Sequence, residues 1–208
     1  MTRMIKVSNK TMHDIKAIVE KLFPVLGSHK DEEHIEVELR LGKYNGSFFD
    51  TNVGKETFER VLKGLRKYDK WEKTESSISD MFYSDKDSIR ITSNQDTGEQ
   101  KMVQKINVVK EDFYGNPMDM RFSVSREIPN CGEYEMDRKR TKTRYSFVRK
   151  NLSIDMTISS GDNADMDSEE EHSYQIEFEI VDPTKVSTRD EFFNIIHKVN
   201  DLSKLIYV

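Results

Sequence analysis

The chain has 208 residues, of which 35% are hydrophobic and 34% charged, and its formal net charge is −5. This length suffices for one large domain with its own core. The negative net charge excludes a protein whose overall electrostatic field attracts nucleic acid, so any RNA contact must come from a local basic cluster. No apolar run approaches the roughly 20 residues that span a bilayer, and the single cysteine, Cys131, excludes an intramolecular disulfide; we therefore expect an intracellular, reducing compartment and no membrane contact.

Three segments have apolar residues at helical spacing, which predicts helices. They are residues 11–26, 55–68 and 188–206. Pro24 marks the end region of the first predicted helix, because proline removes a backbone donor. The third opens with Thr188 and Glu191 three residues apart, the pattern of a capping box.

Eight further segments have the alternation and the flanking turn residues that predict strands. They are residues 33–42, 71–83, 88–92, 101–110, 121–128, 138–148, 152–159 and 174–181. Eight strands in one chain of this size predict an α+β fold, a closed eight-stranded antiparallel β-barrel packed by flanking helices. The acidic segment 161–171 is predicted to be a mobile hairpin loop. No boundary divides the chain, so residues 1–208 are predicted to form a single domain.

Two of the predicted strands carry glutamates at alternate positions. Glu36 and Glu38 share one face of the first strand with Arg40, and Glu177 and Glu179 share one face of the last. Carboxylates two residues apart on a strand point the same way, about 7 Å apart. One such pair alone is more often an exposed polar face. Two pairs on facing strands, however, could converge on one hard divalent cation, which prefers oxygen ligands.

The central strands carry the opposite charge at alternate positions or between apolar neighbours. These cations are Arg90, Lys105, Arg138, Arg140, Lys142 and Arg144. Like charges on one face of a strand repel each other unless an anion lies among them, and a triphosphate is such an anion. A basic strand alone is more often a solvated face or an RNA-contacting edge. Combined with the two glutamate strands, it predicts a barrel with a charged interior.

The two glutamate motifs, E-V-E-L-R at 36–40 and I-E-F-E at 176–179, stand at either end of these basic strands. In this order they resemble the triphosphate tunnel metalloenzymes, and within them the fungal, protozoan and viral RNA triphosphatases that begin mRNA cap synthesis. The viral type is the nearest likeness, and the resemblance covers roughly residues 33–181. It implies a tunnel that holds Mg²⁺ or Mn²⁺ on the matching residues. These predicted metal ligands are Glu36, Glu38, Glu177 and Glu179.

The resemblance also implies roles for the central strands. The matches to the family's phosphate-binding cations are Arg90, Lys105, Arg140, Lys142 and Arg144. Glu127 matches the glutamate that orients the attacking water. Further substrate contacts are predicted for Arg40, Arg126, Arg138, Asp155 and Thr157. Ser153 and Gln175 depart from the family pattern, since relatives carry a cation and often a third glutamate there; this affects the predicted phosphate contacts and not the metal site.

Together, the charge pattern and the resemblance predict metal-dependent removal of the γ-phosphate from the 5′-triphosphate end of RNA. Two alternatives stay open: a small-molecule triphosphatase acting on a nucleotide, tripolyphosphate or thiamine triphosphate, and a non-catalytic module that binds polyphosphate or RNA ends. Members acting on small substrates usually carry lysine where Arg40 stands, which favours RNA. The expected partners are triphosphate-ended RNA, nucleoside triphosphates and a fused or associated guanylyltransferase, with this chain as the N-terminal part of a longer capping enzyme. A viral source would imply the host cytoplasm or the virion.

Overall fold

The computed structural model describes residues 14–161 and 171–206. Its helices are α1 (Ile15–His29), α2 (Lys55–Lys67) and α3 (Arg189–Lys204), and a short 3₁₀ turn covers Pro183–Lys185. Its strands are β1 (Ile35–Tyr44), β2 (Phe49–Asp50), β3 (Lys73–Ser84), β4 (Ile89–Asn94), β5 (Gln100–Phe113), β6 (Asp119–Pro129), β7 (Arg138–Arg149), β8 (Leu152–Gly161) and β9 (His172–Ile180).

The strands form one antiparallel sheet that closes on itself. Their order is β2-β1-β6-β5-β4-β3-β7-β8-β9, and β9 also pairs with β1. The two-residue β2 pairs with the end of β1, so the barrel itself has eight strands. The predicted closed eight-stranded antiparallel barrel is therefore confirmed, while β2 is an addition that the sequence did not predict, because two residues carry no alternation.

The register defines two ends of the barrel. The β4–β5 end carries the turn between β4 and β5, the turn between β7 and β8, and the first residues of β1 and β3. The β3–β4 end carries the turn between β3 and β4, the turn between β5 and β6, and the first residues of β7. The functional side chains are distributed unevenly between these two ends.

The apolar core lies outside the barrel, beneath the helices. Leu39 and Phe178 on the outer faces of β1 and β9 are fully buried, as are Phe122 of β6, Leu22 of α1 and Phe192 of α3. The helices α1 and α3 also contact each other over this wall. Fully burying a side chain of this size stabilises the fold by about 1.5–3 kcal/mol, so the outer faces of the strands supply the folding energy and leave the inner faces free for polar residues.

At α1 the observed helix boundaries differ from the predicted ones by a few residues. Residues 1–13 lie outside the described part of the chain, and the helix begins after Asp14, whose Oδ1 accepts a hydrogen bond from the Ala17 N–H at 3.2 Å. The predicted end at residue 26, with Pro24 in the end region, is too early, because the helix continues to His29. Burial of Leu22 and Leu26 on either side of the proline offsets the backbone hydrogen bond that it removes.

The capping box that opens α3 is confirmed. The Thr188 Oγ1 accepts from the Glu191 N–H at 3.2 Å, and the Glu191 carboxylate accepts from the Thr188 N–H at 2.9 Å. Most of the predicted loop 161–171, namely residues 162–170, lies outside the described residues. In the described residues, no helix has the length and apolarity needed to cross a bilayer.

Candidate active site

A cavity of about 390 Å³ lies inside the barrel and is lined almost entirely by charged and polar side chains. Its charged lining comprises Glu36, Glu38, Arg40, Arg90, Glu99, Lys101, Lys105, Glu127, Lys142, Arg144, Asp155, Glu177 and Glu179. Asn94, Glu99 and Lys101 belong to the β4–β5 turn and the residues beside it, so the cavity reaches the β4–β5 end. We refer to it as the tunnel.

Strand alternation turns these side chains inward. On β1, Val37 and Leu39 are fully buried beneath the helices, so Glu36, Glu38 and Arg40 must point to the opposite face. The same holds on β9, where Phe178 lies between Glu177 and Glu179 and is fully buried outside the barrel. The predicted charged interior is thus a direct consequence of where the apolar residues pack.

The junction of β1 and β9 brings acidic residues of the two predicted glutamate motifs together. Glu38 pairs with Glu179 in the register, and Arg40 pairs with Glu177. The Arg40 Nη2 lies 3.0 Å from Glu38 Oε2 and 3.0 Å from Glu177 Oε1. Burial alone would raise the pKa of Glu177, but the charges of Arg40 and Arg144 outweigh it and bring this pKa to about 2. Glu177 is therefore ionised and already neutralised by arginine.

A second cluster lies around the Lys105 ammonium group. Lys105 contacts the Glu36 carboxylate and lies 3.4 Å from Glu127 Oε1 and 3.9 Å from Glu38 Oε1. Glu127 also accepts a hydrogen bond of 2.5 Å from Arg90. Burial opposes ionisation of Glu127, yet the charges of Arg90 and Lys105 dominate and lower its pKa to about 2. Glu127 thus stays ionised down to strongly acidic pH.

Glu179 differs from the other tunnel glutamates. Within the described part of the chain, its side chain has no ion pair or hydrogen bond. Burial, followed by the negative charges of Glu36 and Asp155, raises its pKa to about 7. The pKa of Glu36 is raised as well, first by burial and then by Glu38. This corner of the tunnel is therefore short of positive charge.

That shortage is the observation that fits a divalent metal. Glu36, Glu38 and Glu179 offer carboxylate oxygens alone, the donor set preferred by Mg²⁺ and Mn²⁺. Among the described residues, however, no group of three acidic, histidine or cysteine side chains already has the arrangement of a metal site. Glu36 and Glu38 are held instead by Lys105 and Arg40. The residues fit such an ion in their chemistry, while their present contacts are ion pairs.

Lys142 and Arg144 lie on β7, two strands away from β9, and also line the tunnel. Among the described residues Lys142 has no ion-pair partner, and burial, together with Arg144, Arg40 and Arg90, lowers its pKa to about 7 despite the charge of Glu177. Arg144 lies 3.6 Å from both Asp155 and Glu177, and its Nε donates to Thr157 Oγ1 at 3.4 Å. An anion bound here would pair with Lys142 and restore its charge.

Two predicted substrate contacts are placed away from the tunnel. Arg126 neighbours the inward-facing Glu127 on β6, so its side chain points outward, where it binds Glu32. The structure therefore does not support the predicted contact between Arg126 and a substrate inside the tunnel. Arg138 lies at the β3–β4 end, where it makes two hydrogen bonds of 2.7 and 2.8 Å to Asp85 and does not line the tunnel.

Two other predicted residues face the barrel interior without lining the tunnel. Arg140 Nη2 donates to the Ser159 carbonyl oxygen at 3.2 Å and to Ser173 Oγ at 3.3 Å, between the tunnel and the β3–β4 end. Thr157 is fully buried and supports Arg144. Either side chain would act on a tunnel substrate through its neighbours in this conformation.

Sequence reasoning missed several residues that line or support the tunnel. Lys101 lies 3.6 Å from Glu127, and Ser125 Oγ donates to Glu36 at 2.9 Å. Lys101 shares a strand face with Lys105, and Ser125 shares one with Glu127, so alternation could have found both. Asn94 shares a face of β4 with Arg90, so alternation could have found it as well, whereas Glu99 lies in the β4–β5 turn, where alternation gives no signal.

Comparison with known proteins gives one family match. The model of the family described as mRNA capping enzyme, beta chain, matches residues 47–207. The mRNA-capping enzyme subunit beta of Schizosaccharomyces pombe is 28% identical over 109 residues, or 48% of this chain. The match spans 36% of that protein, about a third of its length.

Two solved structures share the fold. The RNA triphosphatase Pct1 of S. pombe superimposes with a TM-score of 0.72 at 17% identity, covering 99% of this chain and 98% of that one. The RNA triphosphatase domain of a trifunctional mimivirus mRNA capping enzyme gives a TM-score of 0.67 at 14% identity, covering 94% of this chain and 98% of that one. At these identities the likeness establishes the triphosphate tunnel fold.

Proposed function

Because the chain belongs to the mRNA capping enzyme beta chain family, we propose that it removes the γ-phosphate from the 5′-triphosphate end of RNA and leaves a 5′-diphosphate end. It would thus be a polynucleotide 5′-phosphatase, a hydrolase of phosphoric anhydrides that acts in the first step of mRNA capping. The observation that carries the proposal is a tunnel whose lining combines two features. One is a corner of carboxylates that is short of positive charge, and the other is a lysine, Lys142, without an ion-pair partner among the described residues.

The cations of the tunnel would bind the triphosphate. Lys142 has no ion-pair partner among the described residues, and Arg144 lies as far as 3.6 Å from its two carboxylates, so both can turn toward phosphate oxygens. Arginine suits bidentate contact with phosphate, and lysine acts as a point charge. Phosphoryl transfer depends mainly on positioning and charge neutralisation, and this wall supplies both.

Glu127 would position the water that attacks the γ-phosphorus. Its carboxylate is fixed by Arg90 at 2.5 Å and Lys105 at 3.4 Å, so its free lone pairs have a defined direction. A carboxylate with a pKa of about 2 is a weak base. Glu127 therefore accepts a hydrogen bond from the water and orients it, and the proton leaves later in the reaction, as a largely dissociative transition state allows.

Glu36, Glu38 and Glu179 would hold the divalent metal, Mg²⁺ or Mn²⁺. When bound, such an ion supplies Lewis-acid neutralisation of charge on phosphate oxygens. The chain's own contribution is to keep these carboxylates in a recess that contains only oxygen donors. Glu177, with its pKa of about 2 and its two arginine partners, neutralises Arg40 and Arg144 and stabilises the wall on which the phosphates bind.

The test is release of phosphate from γ-labelled, triphosphate-ended RNA in Mg²⁺, Mn²⁺ or EDTA. We expect release that requires metal and falls at least about a hundredfold in Glu36→Gln and Glu179→Gln. The matched control is Glu33→Gln, an exposed glutamate just before β1. Folding of each variant is checked by circular dichroism. No release with any metal, or release indifferent to both tunnel substitutions, would contradict the proposal.

Comparing RNA with free nucleotide, tripolyphosphate and thiamine triphosphate separates the proposed activity from its alternatives. A higher kcat/KM for the RNA is expected. Equal or better turnover of a small triphosphate would place the chain among the small-molecule triphosphatases, and tight binding without hydrolysis would identify a binding module.

We further propose a guanylyltransferase, fused or associated, as a partner. Support comes from the names of two relatives, a capping enzyme subunit and a domain of a trifunctional capping enzyme. Co-purification with a guanylyltransferase from the source organism, or its presence in the same polypeptide, tests this.

We also propose a reducing intracellular location. The exposed single cysteine, Cys131, is in keeping with such a location, for which cell fractionation is the test.

A further inference from the structure

A groove of about 540 Å³ lies on the outer surface of the barrel, where the end of α2 leads into β3. Its lining includes Arg66, Tyr68, Trp71, Ser76 and Tyr145. We name it the aromatic groove. It lies at the β4–β5 end of the barrel, because β3 begins there.

The rings of the aromatic groove are partly exposed and stacked with guanidinium groups. Tyr68 and Trp71 meet edge to face with ring centroids 5.1 Å apart. The Arg66 guanidinium lies 4.9 Å from the centroid of Tyr145, and that of Arg149 lies 5.2 Å from the centroid of Tyr68. The Trp71 indole N–H donates to the Leu65 carbonyl oxygen at 2.9 Å and so fixes its ring. Rigid rings beside arginines form the kind of surface on which single-stranded bases stack.

Positive charge is concentrated beside these rings. Arg149 ends β7 and Lys150 follows it in the β7–β8 turn, and Lys198 of α3 lies close to both. Burial and then the charges of Lys150 and Arg149 lower the pKa of Lys198, although Glu72 opposes this. Asp69 and Glu75 also line the groove, and Glu75 is neutralised by Lys73 at 2.7 Å. In an acidic protein, this cluster is a local site suited to a polyanion.

The groove and the tunnel lie on opposite faces of the same two strands. Ser77 and Arg144 form a cross-strand pair that lines the tunnel, and the next pair, Ser76 and Tyr145, lines the aromatic groove. From Ser77 the strand runs four residues to its start at Lys73, about 13 Å at the usual rise of a strand. A chain leaving the tunnel at the β4–β5 end would thus reach the groove by crossing this short lip.

We propose that the aromatic groove, with Arg149 and Lys150, binds the single-stranded RNA that follows the triphosphate. The inference rests on the proposed function, since it takes the occupant of the tunnel to be the 5′ end of that RNA. It explains how a chain of net charge −5 holds RNA. It also gives a basis for selectivity, because a free nucleotide has no downstream chain to reach the groove.

Binding is tested without the tunnel chemistry. A fluorescent single-stranded RNA of about ten nucleotides with a 5′-hydroxyl end is titrated with the protein in EDTA, and anisotropy is recorded. We expect Tyr68→Leu and the double variant Arg149→Gln/Lys150→Gln each to bind at least about fivefold more weakly, because the first loses one stacked base and the second loses two positive charges near the phosphates. Tyr68→Phe keeps the ring and should bind like wild type. Lys55→Gln, at the opposite end of α2, is the matched charge control.

The outcomes separate this proposal from the proposed function. Groove variants should raise KM for triphosphate-ended RNA and leave the kinetics with ATP unchanged. RNA binding by the groove without any phosphate release would contradict the proposed function alone. Wild-type RNA binding by Tyr68→Leu, with hydrolysis intact, would overturn the groove proposal alone. Displacement of the RNA by an acidic peptide as readily as by unlabelled RNA would also overturn it, because a peptide of that kind supplies charge without bases.

Discussion

The outer and inner faces of β1 and β9 show how one pair of strands contributes to both stability and chemistry. Their backbones share the same ladder of hydrogen bonds, yet the outer face carries Leu39 and Phe178, fully buried, while the inner face carries Glu38 and Glu179. The outer face lowers the free energy of the folded state by removing apolar surface from water. At Glu179 the inner face raises it, because this carboxylate is held away from solvent beside other carboxylates. Successive residues of one strand therefore serve stability and chemistry in alternation, because their side chains point to opposite faces.

The largest expected effect is on the chemical step. Glu127→Gln keeps the size of the side chain but removes the negative charge and replaces one of the two oxygens that can accept a hydrogen bond from water with an amide donor. We expect kcat for phosphate release to fall about 10²- to 10⁴-fold with little change in KM. Rapid-quench measurement of a single turnover checks this, and Arg126→Gln, its outward-facing neighbour, should leave kcat unchanged. A drop in kcat of equal size in both variants would contradict the separation of faces.

Phe178→Ala tests the outer face. Removing this fully buried ring should lower the free energy of unfolding by about 3–5 kcal/mol, because it leaves a cavity between β9 and the helices. Urea denaturation followed by circular dichroism gives the value. A loss below about 1 kcal/mol would show that the helices do not depend on this wall.

Lys142→Met should act in opposite directions on stability and on binding. Removing a cation without an ion-pair partner among the described residues should raise the free energy of unfolding by about 1 kcal/mol in the absence of substrate. It should also raise KM for triphosphate-ended RNA about tenfold, the loss of one charged phosphate contact. Parallel thermal melts and initial-rate kinetics are the measurements. Destabilisation by Met would mean that Lys142 has a structural role.

The pH dependence of stability provides a smaller effect with a defined sign. The pKa of Glu127 falls from its ordinary 4.5 to about 2 in the folded protein. Its contribution to stability is therefore complete above pH 4.5 and is lost as pH falls through about 2. Urea midpoints measured across this range should decline less in Glu127→Gln than in wild type. An identical decline in the two proteins would show that Glu127 is not stabilised by its cations.

Much of the fold follows from sequence alternation, because burial of one face of a strand fixes the direction of the other. Alternation placed Glu36, Glu38 and Glu179 inside the barrel, and applied strictly it would also have turned Arg126 outward. It gives the face of a residue and not its depth. Arg138 and Lys142 share a face, yet Arg138 lies near the barrel end beside Asp85.

The partners of the charged residues depend on the register between strands that are distant in sequence. Arg40 lies opposite Glu177 only because β1 and β9 close the barrel with that offset. A shift of two residues would have placed Arg40 opposite Glu179 and left Glu177 with Arg144 as its remaining arginine. No pattern within one strand determines this offset, so the sequence predicted the set of charges and could not assign the pairs.

The most direct test compares neighbouring positions on β9. Positions 178 and 179 are adjacent in sequence, and their side chains point to opposite faces of the strand. The variants Glu179→Gln and Phe178→Leu are each assayed for metal-dependent phosphate release and for the free energy of unfolding in EDTA. We predict that Glu179→Gln loses activity at least about a hundredfold while its stability rises by about 1 kcal/mol, since the raised pKa of about 7 shows that its charge is disfavoured. Phe178→Leu should keep its activity and lose about 1 kcal/mol of stability. Full activity in Glu179→Gln, or activity lost in Phe178→Leu without unfolding, would contradict the division of work between the two faces.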